Sequence, residues 1–307
     1  MISSFFSKTK PINYVIVLGF CTLLYILMVS VSAVSIFENG VFLPKIISLF
    51  FLLLTFLVIN PTLKADKLAE LSSFTMLFYA LLLAVFLPMV LSGKIVISNF
   101  LLLLATDKVL ALKFEKNTKY KIFEASLFVF LSSVVMEWTV VFLIPMYIAI
   151  YVYCGKQLRN WLMPLAAMVV CLMGVLCYSG LFDDWGFIQN HYAFKLNGTF
   201  DAFAYIGILC YLFLALVIMF IVLVKLGNRG MGRILSLRIL FAYFVLGILL
   251  VFVSEESGSN MILYTLFPIS VFLTNYFETI RDKRFKEGLL SVMIITSLII
   301  AGFNLVQ

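Results

Sequence analysis

Apolar stretches long enough to cross a hydrocarbon layer follow one another from end to end of this chain, separated by short polar interruptions. A helix needs about 20 largely apolar residues to cross roughly 30 Å of hydrocarbon. Backbone in lipid must satisfy its own N–H and C=O groups, and a helix does so internally. The stretches fall at residues 13–35, 45–60, 72–91, 95–112, 122–136, 138–154, 161–180, 201–225, 238–254, 261–277 and 289–305. The fold class expected is an all-α, polytopic transmembrane helix bundle of about 11 spans (ten or eleven), a single integral-membrane domain over residues 1–307. At 64% hydrophobic and 12% charged residues, the chain cannot hide its apolar surface in a water-soluble core, where apolar content is nearer half.

The first stretch follows Lys8 and Lys10 like the start of a signal peptide, but it runs on to Ser35-Ile36-Phe37-Glu38 without a small-residue cleavage site and reads as a retained span. Residues 122–154 are too many for one ordinary span and too few for two full ones, which predicts a short, tilted or re-entrant pair meeting at Glu137 and Trp138. Pro11, Pro44, Pro61 and Pro164 read as helix starts, and Pro88, Pro145 and Pro268 as kinks inside spans.

Alternating spans from a cytoplasmic N-terminus partition the charges sharply. Of 22 Lys and Arg residues, only Lys45, Lys94 and Lys195 then lie outside, which is the asymmetry that orients membrane proteins. The C-terminus is expected outside. Glu38, Glu137, Asp183, Asp184, Asp201, Glu255 and Glu256 make the outer segments net acidic. The overall charge of +7 therefore reflects topology and lipid headgroups, and gives no reason to expect nucleic acid as a partner. The most basic stretch, Asp107–Lys121, reads as an interfacial continuation of the fourth helix on anionic lipid or as a partner site. The run at 227–233 has glycines but no P-loop lysine-serine pair and is a turn. Five cysteines lie in or beside apolar stretches without C-x-x-C spacing, so neither a disulfide framework nor a zinc site is expected.

No soluble-enzyme motif is present, and a single histidine excludes a multi-histidine metal site. What remains is a set of polar residues at the outer ends of spans. The main outer loop, residues 181–201, carries Asp183, Asp184, Trp185, His191 and Lys195. Asp183 and Asp184 can share a divalent cation with phosphate oxygens, supply a general base, or form a solvated turn beside an aromatic-belt residue. Glu38 is either a base at the bilayer surface or a loop charge before the Asn39-Gly40 turn. Glu137, flanked by Val134, Val135, Met136 and Trp138, is costly against lipid, so it points into the bundle or sits at the outer interface. His191 is a hydrogen-bonding loop residue or a catalyst. Glu255 and Glu256 read as a solvated turn.

From Asn60 to Lys156, the runs NPTLKADKLAELSSFTMLFYALLLAVFLP and SNFLLLLATDKVLALKFEKNTKYKIFEASLFVFLSSVVMEWTVVFLIPMYIAIY give a long helix, a basic linker, a short helix pair and a proline-bearing helix. This pattern resembles a family of small bacterial polytopic inner-membrane proteins, and it is similar to the helical core of the GT-C glycosyltransferases. The second resemblance implies a polyprenyl-phosphate-linked sugar as substrate and an acidic base in the first outer loop. Glu38 would be that base, with Lys94 or Lys195 meeting the lipid phosphate and Glu137 and His191 lining the substrate. The first outer loop is short, lacks the family's usual aspartate and juxtamembrane helices, and no large outer domain follows.

Three readings follow. One is a GT-C-like transferase at the outer face of the cytoplasmic (inner) membrane. Another is a non-catalytic membrane subunit of an envelope assembly. A transporter comes third, because it calls for midplane charge and paired repeats that this chain lacks.

Overall fold

The computed structural model describes residues 5–6, 10–31, 42–65, 72–183, 185–186, 191–192, 194–195, 206–226, 231–254, 259–280 and 282–306. They form eleven α-helices: α1 (Pro11–Val31), α2 (Phe42–Ala65), α3 (Phe74–Val85), α4 (Gly93–Leu110), α5 (Thr118–Val135), α6 (Leu143–Cys154), α7 (Leu158–Phe182), α8 (Ile206–Leu226), α9 (Met231–Val253), α10 (Leu263–Thr279) and α11 (Lys283–Val306). Each corresponds to one apolar stretch of the sequence. Among the described residues eight segments are long and apolar enough to cross a membrane, as in a multi-pass membrane protein.

The proline expectations need correction. Pro61 and Pro164 lie inside α2 and α7. In lipid no alternative partner rewards unwinding, so the helix continues past a missing N–H. Thr62 and Thr55 bond back to Val58 O (2.9 Å) and Phe51 O (2.9 Å) in the same helix. Pro88 ends α3 early: the chain tightens into a 3-10 segment, Leu87–Leu91. Pro145 stands in the first turn of α6, directly after a second 3-10 segment, Glu137–Phe142. Of the three expected kinks, only Pro268 lies well inside a helix, α10.

The pair at 122–154 takes definite form. α5 begins four residues earlier than its apolar stretch, giving 18 residues, and Glu137–Cys154 forms a second element of 18. At 1.5 Å per residue α5 is about 27 Å long, and the second element, whose 3-10 part rises about 2 Å per residue, is slightly longer. Ser126 and Met146 meet midway, 3.3 Å apart, so the two lie side by side. The basic linker is brief. Glu115 and Asn117 adopt left-handed φ of 53° and 52°, which stop α4's continuation at Phe114 and restart the chain as α5.

Two short helices occupy the centre. α3 and α10 are buried on nearly every face. α10 packs against α3, α4, α8 and α9, and α3 against α1, α2, α10 and α11. α4 joins α2 to α5, and α5 carries α7 on its far side. Gly247 lets α9 close on α10: a Cβ there would lie 2.8 Å from Thr265 Cγ2, so contact this tight needs the missing side chain.

Contacts between helix ends define two poles. At the basic pole Asn13 Nδ2 donates to Ser73 Oγ (3.2 Å), Lys286 lies over the Phe74 ring (5.0 Å), Lys225 over the Tyr276 ring (5.4 Å), and the Tyr153 and Ser236 hydroxyls pair at 3.2 Å. At the opposite pole Tyr25 donates to Lys45 O (2.9 Å), Asn304 Nδ2 to Val85 O (2.9 Å), and Ser98 pairs with Tyr264.

Candidate functional site

The opposite pole carries those sequence-predicted residues that the structure describes. Glu38 and Asp184 lie outside the described residues. Asp183 is exposed and closes α7 in a left-handed conformation (φ 54°), its N–H bonded to Ser179 O. That conformation is one aspartate tolerates, and it gives Asp183 a local role as a helix C-cap. Lys94, in the first turn of α4, is exposed, and so is Lys195. Trp185 is exposed as well.

His191 reaches the turn of α5 that precedes Glu137. α5 ends at Val135 and Glu137 opens the following 3-10 segment, half-buried as its apolar neighbours require. The loop after α7 folds back onto this junction. His191 Nε2 lies 2.9 Å from Ser133 O, the Tyr192 hydroxyl 3.3 Å from Ser133 Oγ, and Phe194 meets Trp138 edge-on at 5.2 Å. Burial pushes the Tyr192 phenol above its ordinary range, the Ser133 hydroxyl pulls it part of the way back, and the Cys171 and Glu137 side chains add to the rise. Tyr192 is therefore a neutral donor within electrostatic reach of Glu137. A carboxylate, an imidazole and a phenol beside aromatic rings form a corner that can exchange hydrogen bonds with a polyhydroxylated group. No described contact joins Asp183 or Lys94 to it. Among the described residues no three His, Cys, Asp or Glu side chains are grouped to hold a metal ion. The Asp183–Asp184 cation pair falls partly outside those residues.

A series of polar contacts was not legible in the sequence. It runs along α10. Thr265 pairs with Tyr211 (3.0 Å) on α8, and Thr274 with Thr75 (2.8 Å) on α3. At the basic pole Arg233 Nη2 donates to Asn275 Oδ1 (2.6 Å) and to Glu278 Oε2 (3.1 Å), while Ser72 donates to Glu278 Oε1 (3.3 Å). The network binds α3, α8 and α9 to α10. A cavity of about 20 Å³, room for one water, lies beside Asn99, Thr106, Tyr243 and Pro268.

Two apolar grooves open between helices. The larger, about 780 Å³, has α3 and α10 as its floor and α8 and α11 as its flanks, running from Gly207 and Asn304 at the opposite pole to Ile218 and Met293. The smaller, about 490 Å³, lies between α5 and α7. No family model matches this chain, and neither a curated protein nor a solved structure matches it significantly.

Proposed function

We propose that the chain is a membrane enzyme of the GT-C kind that works on a polyprenyl-phosphate-linked sugar at the outer face of the cytoplasmic membrane, with its N-terminus inside and C-terminus outside. The observation that carries this reading is the groove of about 780 Å³, apolar along its length and opening at the pole where Glu137, His191 and Tyr192 gather. Hydrocarbon gains about 0.8 kcal/mol per CH₂ taken out of water, so a prenyl chain holds its substrate there by length. Its phosphate then emerges at the pole where Lys94 and Lys195 are exposed cations. The corner at Ser133 meets the sugar, and Glu38 is the base.

The test is photolabelling with a diazirine-bearing polyprenyl phosphate in nanodiscs. Label is expected in α3 and α8 peptides. Leu214→Trp, which blocks the groove from an exposed position, is expected to reduce it severalfold; unchanged labelling would overturn the lipid assignment. Glu38→Gln is expected to abolish sugar transfer while leaving labelling intact.

A non-catalytic membrane subunit is the second reading. It is favoured by the separation of Asp183 and Lys94 from the Glu137–His191 corner among described contacts. The readings part on the Asp183→Asn, Asp184→Asn double mutant. A transferase using the pair loses function at unchanged protein level, since exposed substitutions shift stability by about 0.5 kcal/mol, whereas a subunit keeps it.

A further inference from the structure

At the basic pole a second kind of cavity, about 650 Å³, is built from three pieces of chain: the last turn of α6, the turn at 155–157 with the start of α7, and the α4–α5 linker with Thr118. Gly155 makes it possible. A Cβ there would lie 2.8 Å from Tyr151 O, so only glycine lets the turn fold this closely against α6. Asn160 Nδ2 then donates to Cys154 O (2.9 Å) and Trp161 Nε1 to Gly155 O (3.2 Å), capping carbonyls that α6 leaves unpaired.

That capping bond fixes which way the Asn160 amide points. Its Oδ1 is left buried with no hydrogen-bond partner, in a residue only 2% exposed that lines the cavity. A carbonyl oxygen can only accept, so what completes it must be a donor. Charge narrows the choice further. The surrounding pole is crowded with Lys113, Lys116, Lys119, Lys121 and Arg159, yet the cavity also carries a carboxylate, Glu115, facing the same space as Lys156. Asp107 and Glu124 lie within salt-bridge distance of Lys108, whereas Glu115 makes no salt bridge among the described residues. A ligand that matches the site carries an N–H cation and an anion a few ångströms apart. Trp161 and the exposed Tyr151 line the same cavity, as aromatic side chains do at headgroup depth.

We propose that this cavity binds the phosphoethanolamine headgroup of a bilayer phospholipid. The ammonium donates to Asn160 Oδ1 and the Glu115 carboxylate, and the phosphate oxygens accept from the Lys156 ammonium and the Gln157 amide. The selectivity follows from chemistry. A choline headgroup has no N–H to give Asn160, and a glycerol headgroup has no cation for Glu115. The site thus runs against the preference for anionic lipid that the rest of this pole imposes.

The experiment is native mass spectrometry of the full chain with phosphatidylethanolamine, phosphatidylcholine and phosphatidylglycerol of identical acyl chains, with the N-methylated ethanolamine lipids as a graded series. Phosphatidylethanolamine is expected to be retained about tenfold over the other two, the scale of one charge-assisted hydrogen bond, with affinity falling as each N–H is replaced. Glu115→Gln is exposed and leaves the helix cap intact, so it reads the charge alone and is expected to remove most of the preference. Asn160→Leu is expected to abolish it, at some cost in stability from the lost cap. Equal retention of the ethanolamine and choline lipids, a preference for phosphatidylglycerol, or an unchanged ratio in Glu115→Gln would overturn the proposal. Displacement of the lipid by soluble glycerophosphoethanolamine at equal potency would overturn the lipid assignment.

Discussion

Glu278 shows how far a single side chain can depart from what its place in the sequence announces. An acid at the end of an apolar helix ordinarily sits in water, but this one is 7% exposed and held by Arg233 at 3.1 Å and Ser72 at 3.3 Å. Removing one member of a fully buried pair costs about 3–5 kcal/mol, because the other charge is left uncompensated. The Arg233 side chain is 25% exposed, so water relieves part of that, and Glu278→Leu is expected to cost about 2 kcal/mol. The Arg233→Met, Glu278→Leu double mutant should lose less than the sum of the single mutants. Reversible unfolding of all three in detergent measures it; strictly additive losses would mean the two charges do not stabilise one another. Nothing in the sequence pairs these residues, since they belong to different helices and most span ends here carry charge. Glu137 was legible for the opposite reason: Val134, Val135, Met136 and Trp138 offer it no polar company, and it is half-buried as that implies. The return of the His191 loop to the same junction was not legible, because His191 reaches a backbone acceptor there, Ser133 O, which no side-chain pattern marks.

Helices were readable from length and apolarity because those are the bilayer's own requirements. Their positions in the bundle were not. α3 and α10 lie at the centre, while α7 and α8 expose Leu172, Met173, Phe213 and Phe220, and all four helices are predominantly apolar. In water the outward face of a helix is polar and gives the inward face away; in lipid both faces are apolar, and association rests on close packing and interhelical hydrogen bonds. The features that do distinguish the centre are small: hydroxyls and an amide on α10, and Gly247 on α9. Gly247→Leu is therefore expected to push α9 from α10 and destabilise the bundle by about 1–3 kcal/mol, the usual cost of overpacking. Gly174→Leu on α7, where a Cβ would meet nothing within 4 Å, should leave stability unchanged. Thermal unfolding in detergent compares them, and equal effects would refute the assignment of α10 to the core. Prolines misled for a related reason. Position in a helix decides what a proline does, and with lipid on the outside α2 and α7 simply run through Pro61 and Pro164.

At the scale of the molecule, charge and geometry were derived independently and they agree. Contacts alone gather the ends bearing Lys10, Lys108, Lys121, Lys156, Lys225, Arg233 and Lys286 away from those bearing Lys45, Lys94 and Lys195. Positive residues in short loops resist translocation, so the orientation proposed above puts the crowded pole in the cytoplasm. Eleven crossings, an odd number, would then separate the termini. A reporter fused after Gln307 is expected to be active only when extracytoplasmic, and one inserted at Lys116 only when cytoplasmic. Losing any one of the seven elements after Lys116 would put both on the same side, and losing one before it would exchange their sides, so the paired result tests the count together with the orientation. The pair that those two reporters do not read is α5 with its partner Glu137–Cys154, because a re-entrant pair would enter and return without changing sides. Two separate crossings also leave sides unchanged beyond Cys154, so a third reporter in the turn at Met136 decides between them: extracytoplasmic activity there establishes two full crossings, and cytoplasmic activity there would return residues 118–154 to a re-entrant hairpin.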